Sequence, residues 1–107
     1  MKTLTLLRHA KSGWDDPVAR DFDRPLNPKG VRAAVTMGRH AAGLDLVADR
    51  LVASPAVRVK ETLESFFEGL GHALEPVWDR RVYLASAPTL LDIIRETDAS
   101  VDHLMLV

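Results

Sequence analysis

The sequence predicts an α/β domain, a three-layer α/β/α sandwich with a largely parallel sheet. Short apolar or β-branched runs, "KTLTLL", "DRLVAS" and the closing "HLMLV", have strand length. They alternate with longer stretches of helical period, the pattern of strand–helix–strand units. Hydrophobic residues make up 47% and charged residues 27% of the 107 residues, ordinary globular usage, and that length supports one core and a single domain over residues 1–107.

"KTLTLL" is a short apolar run bounded by charge and predicts a buried strand at residues 2 to 7. From Ala10 to Pro28 no period holds, and Asp15, Asp16, Pro17, Asp21, Asp23 and Pro25 break any regular element. A loop of this length inside a small domain is usually functional. Asn27 then offers an N-cap and Pro28 a first helical residue, for a helix over about 28 to 42 with Val31, Ala34, Val35, Gly38 and Ala42 on its inner face. A second strand falls near 50 to 53. Ser54 and Pro55 repeat the cap-then-proline start for a helix that turns Val59, Leu63, Phe66, Phe67 and Leu70 inward and ends at Gly69 and Gly71. A strand near 73 to 77 precedes a loop. "APTLLDIIRET" reads as a helix capped by Ser86, with Leu90, Leu91 and Ile94 inward, and "HLMLV" as a final buried strand.

Composition narrows the function. Lys and Arg number 14 against 15 Asp and Glu, a formal charge of −1, so no global basic field holds a nucleic-acid backbone or an anionic membrane. The absence of cysteine excludes disulfides, thiolate catalysis and Cys-based zinc sites, and suits a reducing, cytoplasmic setting. His9, His40, His72 and His103 lie far apart and form no metal-ligand spacing, so no metal or other cofactor is expected. The amino-terminal apolar run is too short for a signal peptide, and nothing approaches the ~20 apolar residues of a membrane span.

Two polar groups fall after predicted strands: Arg8 and His9 after the first, and "SPAVR" after the second. In open α/β sheets, ligands bind at the carboxyl ends of the strands. Taken singly, an Arg-His pair reads as the solvated start of a loop and Arg58 as a surface residue. Together they suit a phosphoryl group, whose oxygens two arginines can grip in bidentate fashion, aided by a helix start near Ser54. His9 adds a nucleophile, because a neutral imidazole can attack phosphorus in line. Lys11 and Ser12 are further candidates for phosphate contact, and Trp14 is a loop anchor or a wall of the site.

These residues resemble the histidine phosphatase superfamily, also called phosphoglycerate mutase-like. "LLRHAKSGWDD" is similar to its Arg-His signature, "DRPLNPKGVRAA" to its Pro-Leu, Gly and Ala pattern, and "SPAVRVKET" to its Ser-Pro, Arg and Glu-Thr stretch. The resemblance implies the phosphoglycerate mutase-like fold, a transient phosphohistidine at His9, and phosphate held by Arg8, Arg58 and Ser12. The small size, "RHAKS" and "VYLASAPTLLDIIRE" look most like the SixA-type phosphohistidine phosphatases. That implies a metal-independent hydrolase acting on a phosphorylated protein, with a small phosphorylated molecule as the alternative substrate.

Chemistry gives a separate argument for that subgroup. Ester-cleaving relatives carry a glutamate acid in the region corresponding to residues 79 to 84, since an alkoxide must be protonated as it leaves. Here "DRRVYL" offers only Asp79, and imidazole is a far better leaving group. Asp16, Asp23 or Asp79 is the alternative acid. The family also carries a second histidine, usually in a Gly-His pair after a later strand. The sequence ends with "HLMLV" where that pair is expected. The expectation is therefore a domain lacking its C-terminal part, whose natural chain continues past Val107 with a histidine. A 107-residue chain without it is expected to be weakened, or to be a phosphate-binding, catalytically inactive interaction module.

Overall fold

The computed structural model describes residues 2–10, 20–46 and 48–107. The chain divides into two compact units, one built on a sheet and one on a pair of helices.

The sheet unit holds β1 (Thr3–Leu6), β2 (Arg50–Ala53), β3 (Pro76–Trp78) and β4 (His103–Leu106) in the order β1-β4-β2-β3, every pair parallel. The α/β class and the parallel sheet are as predicted. β4, last in sequence, lies between β1 and β2, and Leu104, Met105, Leu106 and Val107 are all buried. β1 is an edge strand, which corrects the expectation of a buried one: Leu4 is 45% and Leu6 64% exposed. Alternation along a strand puts those two leucines on one face. An apolar run specifies extended backbone here; how much covers it depends on the neighbours.

 The helices run in chain order as α1 (Pro28–Gly43), α2 (Val57–Leu70) and α3 (Ala87–Glu96), and of these α3 alone belongs to the sheet unit. Ser86 caps α3 as predicted, its Oγ accepting from the Thr89 N–H at 3.4 Å. Ile93 packs with Val52, Leu104 and Leu106 in the core, with Leu90 and Ile94 around it. Leu91, predicted to face inward, is exposed, because the stripe Leu90, Ile93, Ile94 at i, i+3, i+4 leaves it on the flank of the helix, outside the covered face.

The helical unit holds α1 and α2. Asn27 caps α1, its Oδ1 accepting from the Gly30 N–H at 2.7 Å, and Pro28 fills the first position. The buried face is Gly30, Ala34, Gly38 and Ala41, rotated from the predicted one; Val31 and Ala42 are exposed. The helix presents its smallest residues because α2 comes very close. A Cβ added at Gly38 would stand 2.1 Å from the Phe66 carbonyl oxygen, and one at Gly69 2.0 Å from that of Val35. Gly69 therefore does not end α2, as predicted, but makes the crossing possible. Gly71 alone, at φ 91°, terminates the helix, with its N–H bonded to the Phe67 carbonyl at 2.9 Å. Ser54 is not the cap of α2 either: Ala56 holds that position, and the Ser54 N–H donates to the Val107 carbonyl at 3.1 Å.

Gly38→Ala is expected to destabilise the protein by about 2–3 kcal/mol, since the clash is with backbone that has no rotamer to yield. Urea denaturation checks this, and an unchanged midpoint would mean that the helices separate without cost.

Candidate functional site

The helical unit places His9 against Arg58. The His9 Nδ1 lies 2.7 Å from the Ala10 carbonyl oxygen, and Nε2 lies 3.3 Å from the Arg58 Nε. A carbonyl only accepts and a guanidinium only donates. Nδ1 therefore carries the ring proton, and the Nε2 lone pair faces Arg58.

Thr62 holds this arrangement from one turn further along α2. Its hydroxyl donates to the Arg58 carbonyl at 2.6 Å and accepts from the Ala10 N–H at 3.0 Å. The Ala10 peptide is thereby fixed, and its carbonyl fixes the His9 tautomer. Thr62→Val should cost about 1–3 kcal/mol, because it removes both bonds and leaves the Ala10 N–H without its acceptor. It should also loosen the tautomer, which ¹⁵N shifts of the His9 ring report; Thr62→Ser should restore both.

Arg58 is only 4% exposed, so it is no surface residue. Its Nη1 donates to the Asp21 carbonyl at 2.7 Å and its Nη2 to Asp21 Oδ2 at 3.1 Å. The other carboxylate oxygen, Oδ1, accepts from Nε and Nη2 of the buried Arg24 at 3.1 and 2.9 Å. The Leu26 N–H donates to Glu61 at 2.8 Å, tying "DRPL" to α2. Sequence reasoning missed Asp21, Arg24 and Thr62 as parts of the site. One signal was available: Arg58 and Thr62 stand at i, i+4 beside the buried apolar stripe, where polar residues need partners.

Arg8 follows β1 in the sheet unit and is exposed; the preceding Leu7 N–H donates to Leu106 at 2.9 Å. Ser12, with Lys11, Trp14 and Asp16, lies outside the described residues. Asp23 forms an exposed ion pair with Arg20 at 2.9 Å. Asp79 accepts from the Arg81 backbone N–H at 2.9 Å and from its guanidinium at 2.8 Å. These bonds, the guanidinium's first, hold its carboxyl below the usual range, which suits a structural carboxylate and not a proton donor. His40 and His72 are exposed, and His103 opens β4 with Nε2 2.6 Å from Thr5 Oγ1. Among the described residues no three His, Cys, Asp or Glu side chains converge on a metal position.

Residues 4–82 match the histidine phosphatase superfamily (branch 1). An uncharacterized protein of Mycobacterium tuberculosis is 34% identical over 102 residues, which are 94% of this chain and 61% of that protein. An uncharacterized chloroplastic protein of Arabidopsis thaliana is 41% identical over 64 residues, 60% of this chain and 29% of its own. Among solved structures, one from Agrobacterium tumefaciens named as a phosphohistidine phosphatase SixA superposes with a TM-score of 0.87 at 33% identity, over 97% of this chain and 66% of that one. A SixA protein histidine phosphatase complexed with tungstate has the same fold, with a TM-score of 0.83 at 20% identity over 96% of this chain and 66% of that one. The chain thus spans less than two thirds of the length of the curated relatives it matches.

Proposed function

The chain belongs to the histidine phosphatase superfamily, and from that premise we propose that it is a metal-independent phosphohistidine phosphatase working through a covalent intermediate at His9. The observation that carries this reading is the Nε2 lone pair of His9 held against a buried arginine. Nε2 attacks phosphorus, forming a new N–P bond while the N–P bond of the substrate breaks. The departing ring, protonated on its other nitrogen, leaves as neutral imidazole with the bonding pair. Water then attacks phosphorus, the His9 N–P bond breaks, and inorganic phosphate leaves as Nε2 recovers its pair. Because Nδ1 keeps its proton on the Ala10 carbonyl, His9 itself both attacks and departs as neutral imidazole. Arg58, Arg8 and Ser12 are the groups assigned to the phosphoryl oxygens, where charge grows in the transition state.

A phosphorylated protein is the favoured substrate class. The Agrobacterium relative is named for phosphohistidine, and Asp79 is committed to Arg81 as a carboxylate, so an ester's alkoxide would gain no acid there. The test is incubation of the 107-residue chain with a histidine-phosphorylated peptide, with and without EDTA. Phosphate release insensitive to EDTA, with acid-labile label on His9, is expected. Peptide binding without release would favour an inactive binding module instead, and label on Ser12 would overturn the assignment of the nucleophile.

A further inference from the structure

We propose that Asp21 is the resident anion of the Arg58 cradle, a carboxylate that competes with phosphate for the guanidinium and limits how tightly phosphate product is held. The inference rests on the phosphatase reading above and deepens it.

Arg58 donates to the His9 lone pair through Nε, to the Asp21 carbonyl through Nη1 and to the Asp21 carboxylate through Nη2. Phosphorylation of Nε2 consumes the lone pair that Nε–H meets, so this donor turns to a phosphoryl oxygen. Firm binding of phosphate by arginine uses two parallel N–H groups. The second must come from a terminal nitrogen, and each of these already gives one of its two N–H groups to Asp21. An incoming dianion therefore shares the guanidinium with a carboxylate, and like charges on one cation repel.

Asp21 also has a place to retreat. Its Oδ1 already accepts two N–H groups of Arg24, so its Oδ2 can leave Arg58 without leaving the carboxylate unpaired. The main-chain carbonyl of Asp21 stays on Nη1 throughout and keeps Arg58 in position. Phosphate binding is thus an exchange of anions on Arg58, and the return of Asp21 helps expel the product.

Isothermal titration with inorganic phosphate tests this on the full chain. Asp21→Asn and Asp21→Ser both keep the carbonyl that anchors Arg58 and remove the competing charge. Each is expected to bind phosphate about tenfold more tightly than the parent, the scale of one charge-assisted hydrogen bond. Asp23→Asn removes the same charge two residues away, from an exposed pair with Arg20, and should leave the affinity unchanged. Equal or weaker binding in both Asp21 variants, or equal tightening in Asp23→Asn, overturns the proposal while phosphate binding by the parent preserves the phosphatase reading. No binding by the parent or any variant overturns both.

Discussion

His9→Ala should abolish formation of the acid-labile phosphoenzyme and lower turnover of a histidine-phosphorylated peptide by at least ~10³-fold, since a two-step reaction has no first step without its nucleophile. Both ring nitrogens are already committed in the orientation this role requires: Nδ1–H on the Ala10 carbonyl and Nε2 on Arg58. The variant should remain folded, because His9 is only half-buried and its two bonds lie near the surface of the unit. Its affinity for inorganic phosphate should also survive, as the arginines stay in place. Trapping the labelled enzyme and titrating phosphate separate these outcomes. Full turnover in His9→Ala would transfer the nucleophile's role to another group.

Arg58→Ala should show the next largest effect, a loss of about 2–4 kcal/mol of transition-state stabilisation, or roughly 30- to 900-fold in kcat/KM. Arg8→Ala should lose catalysis on the same ~2–4 kcal/mol scale. The two differ in stability. Arg8 is exposed at the end of β1, so its removal should leave the denaturation midpoint nearly unchanged. Arg58 is buried and paired with Asp21, so its removal opens a void and leaves the Asp21 carboxylate to Arg24 alone of these two arginines. Arg58→Lys should restore little, since an ammonium cannot reach the Asp21 carbonyl, the Asp21 carboxylate and His9 from one planar fork. If Arg58→Ala keeps kcat/KM, Arg58 serves the fold alone.

The candidate site was legible in part. Arg8, His9 and Arg58 could be read from an Arg-His pair after one strand and an arginine just inside a helix after another, because a phosphoryl group calls for cations and a nucleophile. Asp21 could not: "ARDFDRPL" offers two carboxylates and two arginines, and nothing local says that Asp21 turns to Arg58 while Asp23 stays with Arg20. Asp79 illustrates the converse, a plausible acid in the sequence that its neighbour Arg81 holds as a carboxylate.

The sequence by itself determined what the elements are and where two of the helices begin. Asn27 and Ser86 cap the helices they were expected to cap, β2 occupies the predicted residues, and the strands are parallel, because caps, proline and hydrophobic period act within a few residues of chain. Tertiary structure decided which face of each element is covered. It made the last strand central and the first an edge, turned α1 onto its glycines and alanines, and moved Gly69 from a helix end to a helix crossing. It also buried Arg58 against Asp21. Those outcomes depend on residues tens of positions apart meeting in space, and local pattern carries no information about which partner arrives.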